Sequence, residues 1–209
     1  MEFLSDTGFA GNPDFRTGPS QFNRTLPEFW TALDRAANDI RLQYGTIAFA
    51  PNKADAAYHA IGQAIVLATQ NINADYSPIM PIGEFQGHPI YCGITGAARP
   101  PWRLGEDIDA DFRELNFRLA GSVAEMNFAR GNYKHGSHLG DQVLAGLIAR
   151  SITERIDCDP TKFFPAQVEH VREIIAANAS MTYGLAQSLS DGKLGTAALN
   201  STLARVTIP

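Results

Sequence analysis

"RPPWRLGEDIDADFRELNFRLAGSVAEMNF", residues 99–128, joins a stiff loop to a long helical pattern. Ile108, Phe112, Leu115, Leu119, Val123 and Met126 recur with the 3.6-residue period of one helix face. Phe117, Ala124 and Phe128 mark a second apolar face, so the spacing predicts a central helix buried on two sides. Glu106, Asp107, Asp109 and Asp111 crowd its first turn, where carboxylates complement the positive end of the helix dipole. Ahead of them, Pro100-Pro101 holds Trp102 between Arg99 and Arg103.

Working outward, Thr25-Leu-Pro-Glu28 reads as a capping box with Pro inside the first turn. Leu26, Phe29, Trp30, Leu33, Ala36, Ala37, Ile40 and Tyr44 continue it as an amphipathic helix. A second helix is expected from Asn52, with Ala54, Ala57, Tyr58, Ile61, Ile65 and Ala68 on a stripe that suggests core packing alone. Residues 71–106 break this rhythm with Pro78, Pro81, Pro89 and several glycines, and Gln86-Gly87 would turn a short hairpin. So long a non-helical connection in a compact domain is usually functional or disordered, and the apolar content of EFQGHPIYCGI argues against disorder. Leu139, Val143, Leu144, Leu147, Ile148 and Ile152 predict a further helix, and Asp159-Pro160 and Pro165 open another carrying Val168, Val171 and Ile175. Residues 188–209 read as a weakly patterned tail. The expected fold is mainly α: a bundle of about five to six helices with one long Pro/Gly-rich loop and extended N- and C-terminal arms. Its parts are an arm over 1–24, a helical core over 25–187 and the tail.

The first part is unusual. Glycine and proline forbid a regular element over 1–24, yet Phe3, Phe9, Phe15 and Phe22 recur there, whereas disordered segments are poor in aromatics. An extended segment with spaced Phe suits an arm that docks into a groove, either of its own core or of a neighbouring subunit.

At 209 residues, 44% hydrophobic and 19% charged, the chain has the make-up of one globular core. A net charge of −5 excludes an indiscriminate polycation. Thirteen of the 17 basic residues are Arg, the side chain suited to bidentate phosphate and carboxylate contacts, although Arg-rich codon usage would give the same excess. Cys92 and Cys158 form no CxxC, so neither a zinc site nor a disulfide framework is indicated, and a reducing compartment suits them. The opening residues show no secretory pattern and no apolar run is long enough to span a bilayer, so a soluble intracellular protein is expected. The sequons at Asn23, Asn178 and Asn200 are then chance matches.

Catalytic patterns are thin. Lys134-His135-Gly-Ser-His138-Leu-Gly-Asp141 spaces two His and an Asp at three-residue steps, a possible metal face, but Gly136 and Gly140 weaken a helix there. Glu169, His170 and Glu173 lack the paired ExxH of di-iron bundles. Cys92 and His88 share a loop without any nucleophile signature, and a small buried Cys accounts for the first of them. Phosphate-loop, dinucleotide, nucleophile-elbow and zincin motifs are absent. The expectation is no enzyme, no metal and no cofactor.

The basic residues point elsewhere. Arg99, Arg103, Arg113, Arg118, Arg130 and Lys134 bracket the stiff loop and the central helix, with Trp102 and Tyr133 among them. Guanidiniums beside an aromatic ring hold phosphates and stack bases in sequence-tolerant single-strand binding. The interspersed acids offer the opposite reading, in which the same Arg form surface ion pairs.

The stretch LPEFWTALDRAAND resembles the Phe-Trp-x-x-Ala helix near the start of the core in potexvirus-like coat proteins of flexible filamentous plant viruses. Pro100-Pro101-Trp102, Gly105, Glu106-Asp107, Phe112 and Phe117 keep the order of that family's Pro-Pro-x-x-Trp turn, Gly and acidic, Phe-rich helix. Two residues between the prolines and the tryptophan are missing, and Asp111–Phe117 stands where the family has Lys-Phe-Ala-Ala-Phe-Asp-Phe-Phe. The resemblance touches about a third of the chain. It implies an all-helical subunit of a virion or filament that self-assembles through its arms and encloses single-stranded RNA, located in the virion and, during assembly, the host cytoplasm. The implied partners are copies of itself and RNA, with no membrane. Two alternatives remain open: a phage or virus connector or capsid-associated protein without a nucleic-acid groove, and a small helical enzyme or ligand-binding domain.

Overall fold

The computed structural model describes residues 52–85, 88–93, 95–97, 102–128 and 139–209. The arm with Phe3, Phe9, Phe15 and Phe22, the first expected helix with Trp30 and Leu33, and Arg99, Arg130, Lys134, His135 and His138 lie outside the described residues, as do the side chains of His88 and Cys92. Within the described residues the fold is mainly α. Six helices are present, α1 (Lys53–Thr69), α2 (Ile108–Phe128), α3 (Leu139–Ile156), α4 (Pro160–Ala177), α5 (Ala179–Ser190) and α6 (Thr196–Leu203).

Asn52 starts α1, as its sequence predicts. Its side-chain oxygen accepts from the Asp55 N–H at 2.9 Å and its amide donates to the Asp55 carboxylate at 2.5 Å, closing a reciprocal cap. Every residue from Asp55 to Leu67 is buried, so α1 is enclosed on all sides and is as central as the predicted α2. α1 packs along α2 and α5, while α2 also meets α3 and α4. The α1–α2 approach is close because the residues at the crossing are small. A Cβ on Gly62 would lie 2.5 Å from the Ala120 carbonyl oxygen and 2.6 Å from the Ala124 Cβ.

The non-helical segment forms two short two-stranded ribbons, one nested inside the other in sequence. β1 (Ala74–Tyr76) pairs antiparallel with β4 (Thr95–Ala97), and β2 (Met80–Phe85) with β3 (His88–Cys92). The inner ladder ends with Phe85 opposite His88, the residues that flank Gln86-Gly87. A register shift between Pro81 and Gly83 marks an irregularity in β2, where Pro81 has no N–H to give the ladder. The hairpin expected from the sequence is therefore present, and the β1–β4 pair is a second, separate sheet.

The C-terminal segment differs from expectation. In place of a weakly patterned tail, 188–209 carries the end of α5 and the whole of α6, with Leu199 and Leu203 buried against the core. Two asparagines clamp it. Asn200 accepts from the Ala74 N–H at 3.0 Å and donates to the Ala74 carbonyl at 2.9 Å, fixing α6 to β1. Asn178 accepts from the Thr207 N–H and donates to the Thr207 carbonyl, both at 2.8 Å. The Tyr76 hydroxyl adds a bond to the Leu194 carbonyl. The Leu194 carbonyl and the Thr207 N–H and carbonyl, which a loose end would leave to water, are thus satisfied by the Tyr76 and Asn178 side chains.

Candidate functional site

The loop before α2 is built around one buried carboxylate. Asp111 is fully enclosed, and its oxygens accept from Trp102 Nε1 at 2.9 Å, the Gly105 N–H at 3.1 Å and Arg155 Nη1 at 2.9 Å. Gly105 has φ +85°, a left-handed conformation natural to glycine, and this turns its N–H toward Asp111. Trp102 is half-buried, its indole edge tied down and its ring packed against the core.

Trp102 forms one wall of an open cleft of about 540 Å³. Gln70, Ile72 and Ala97 contribute from the end of α1 and the ribbon, Arg103, Glu106 and Asp107 from the loop, and Ala110, Arg113, Glu114 and Arg118 from α2. Four residues expected to contact a single strand, Trp102, Arg103, Arg113 and Arg118, therefore meet in one place. Each guanidinium there also has a carboxylate. Arg103 lies 3.4 Å from Glu106 and Arg113 lies 3.6 Å from Asp107, all four side chains more than half exposed. Exposed pairs of this kind are worth about 0–1 kcal/mol, so a phosphate can displace the carboxylates at little cost.

Arg118 is different. Its Nε donates to Glu114 at 2.7 Å and its Nη1 to Asp141 at 2.6 Å, and three quarters of its side chain is covered. Burial alone would depress its pKa, but Asp141 and Glu114 outweigh this and raise it. Asp141 leads inward. Its second oxygen accepts from Gln63 Nε2 at 2.9 Å and lies 3.0 Å from Nε2 of His59, whose Nδ1 meets Glu125 at 2.7 Å. His59 has no exposed surface. Burial acts to lower its pKa, but the bonds to Asp141 and Glu125 prevail and lift it to about 9, so the ring is an imidazolium at neutral pH. Burial would raise Asp141, yet His59 and Arg118 hold its carboxyl below the usual range. Both Asp141 oxygens are thus committed to neighbours.

No family model matches the chain, and neither does any curated protein or solved structure.

Sequence reasoning found the cleft residues and missed the network beneath them. His59 and Gln63 interrupt the apolar run AAYHAIGQAIVLA four residues apart, which places both on one face of α1. A polar pair inside a helix apolar all round must find buried partners, and that was the available signal. Among the described residues, no group of three or more His, Cys, Asp and Glu side chains is arranged to hold a metal ion, and no helix is long and apolar enough to cross a membrane.

Proposed function

We propose that the chain is a structural subunit of a virion or helical filament that lays single-stranded nucleic acid along the Trp102 cleft. One observation carries the reading: an open cleft gathers an aromatic ring and the guanidiniums of Arg103, Arg113 and Arg118. Arg103 and Arg113 exchange weak surface pairs for phosphates, Trp102 offers a face for a base, and Arg118 forms a fixed cationic wall. The sequence resemblance to filamentous coat proteins supplies the assembly half of the proposal, with copies of the chain and RNA as partners and no catalysis.

The test uses the full chain. Size-exclusion chromatography and negative-stain microscopy should show large regular oligomers. Arg103→Gln with Arg113→Gln should weaken oligoadenylate and oligouridylate binding alike and flatten the slope of log K against log salt by roughly 0.7 for each lost contact. A monomer that binds neither oligonucleotide defeats the proposal.

A second reading is an assembly protein without a nucleic-acid groove. It is favoured by the pairing of every guanidinium in the cleft with Glu106, Asp107, Glu114 or Asp141. Large oligomers whose affinity for single strands is absent, or indifferent to the two substitutions, would select it.

A further inference from the structure

We propose that His59 is a positioning residue for the cleft, holding Asp141 so that Asp141 holds the Arg118 guanidinium at the cleft wall. Three observations converge on this. The two oxygens of Asp141 are divided between the interior and the cleft, as one faces His59 and Gln63 and the other accepts from Arg118 Nη1. Exposure rises step by step along the chain of groups, with the side chains of His59 at 0%, Asp141 at 6% and Arg118 at 25%. Helix α2 is also cut away to admit the ring, since a Cβ on Gly121 would lie 2.2–2.4 Å from three His59 ring atoms. An aliphatic side chain would fill that space without any carboxylate partner, so the two acid contacts are the feature that packing alone leaves unexplained.

The groups that face His59 define how a proton there acts on the cleft. Among the described residues, α2 supplies Glu125 on Nδ1, with Arg118 and Glu114 joined through Asp141; α3 supplies Asp141 on Nε2; and α1 itself supplies Asp55, which interacts with Glu125. With the ring charged, Asp141 is shared between two cations. When the ring loses its proton, Asp141 loses one of the two cations it lies between, and among the described residues Arg118 is the one left beside it. The guanidinium is then drawn inward, and its geometry toward a phosphate in the cleft changes. Contact with a polyanion is in this way coupled to a proton inside the bundle.

The binding half of the test rests on the reading of the cleft as a phosphate-contacting surface, and the spectroscopic half does not. In the full wild-type chain, the His59 ring and the Arg118 Cζ resonance are followed by carbon-detected NMR from about pH 7 to about pH 10, on either side of the His59 value of about 9. Arg118 should shift in step with His59. An Arg118 signal that stays flat while His59 titrates overturns the proposal, and no variant is needed to see it. Oligoadenylate, whose bases lose no proton in this range, then reports binding at fixed salt. The wild type should lose affinity several-fold as His59 titrates, and His59→Gln should bind several-fold more weakly at neutral pH with that step absent. Equal affinity and identical pH profiles for the two proteins also overturn the coupling. If neither binds oligoadenylate at any pH while Arg118 follows His59, the nucleic-acid reading falls and the coupling stands.

Discussion

Gly121 faces His59 so closely that a Cβ at that position would lie 2.2 Å from the ring Cε1. The contact is with a ring fixed by bonds at both nitrogens, so neither partner can move aside cheaply. Gly121→Ala should therefore destabilise by about 1–3 kcal/mol, the usual cost of overpacking a core. Gly184, inside α5, has nothing within 4 Å of its missing Cβ. There the same change should stabilise by roughly 0.5–1 kcal/mol, since Ala restricts the unfolded chain more than Gly. Urea midpoints of the two variants, measured side by side, check both signs.

Asp55 gives a stability prediction with a defined pH window. Burial, followed by the neighbouring Glu125, raises its carboxyl from 3.8 to about 6, against the opposing bond from Asn52. A raised acid binds its proton more tightly when folded, so its contribution favours the fold at low pH and is lost as pH rises through about 6. At about pH 7.5 the folded state holds a costly anion there. Asp55→Asn keeps the shape and should raise the melting temperature at that pH, with the gain vanishing near pH 4. Equal gains at both pH values would mean that the carboxylate is not strained.

His59 works over a higher window. Its raised value means that the stabilisation is complete below its ordinary 6.5 and is lost as pH rises through about 9. Asp141 has the opposite sign, stabilising above the ordinary carboxylate value and losing this as the pH falls below it. Wild-type melting temperature against pH should thus decline above about pH 8. His59→Gln should be less stable at neutral pH and lack that alkaline decline.

The C-terminal helix is testable by truncation of its buried leucine. Leu199 has no exposed surface, so Leu199→Ala should cost about 2–5 kcal/mol through lost transfer energy and the cavity left behind. Asn200→Ala removes both bonds to the Ala74 backbone and orphans a half-buried N–H and C=O, which should cost about 1–3 kcal/mol. A cost near zero for both, read by denaturant unfolding, would mean that 188–209 behaves as a tail after all.

Legibility followed length and chemistry. The stripes of α2 and α4 ran for many turns, and the Asn52 and Asp159-Pro160 starts had capping residues that carry their own hydrogen-bond logic. Helix α6 spans only eight residues, with Leu199 and Leu203 as its buried pair, too short for a period to emerge from a Thr/Ala/Asn background. The hairpin was visible because Gln86-Gly87 sits between two apolar runs, whereas the short β1–β4 pair has little pattern of its own. Of the site, Trp102 and its arginines were legible as a cluster. The network beneath them was not, because Glu125 and Asp141 lie 66 and 82 residues from His59 and meet it only after three helices pack.

Trp102 and Asp111 separate structural from binding roles within one side chain. The indole N–H is spent on Asp111, while the ring lines the cleft, so edge and face can be tested apart. Trp102→Phe removes the hydrogen bond and keeps an aromatic face. It should cost about 0.5–1.5 kcal/mol of stability and leave oligoadenylate affinity nearly intact. Asp111→Ala should cost more, about 2–3 kcal/mol, because Gly105, Trp102 and Arg155 lose a shared acceptor and the loop loses its anchor. Trp102→Ala removes the face as well, and a base stacked there would be missed by about 1–3 kcal/mol in binding. Stability and affinity measured on the three variants give two orderings. If affinity tracks stability across all three, the ring is only a brace for the loop, and the cleft holds no stacked base. If Trp102→Phe loses stability and keeps affinity while Trp102→Ala loses both, the ring face contacts the strand.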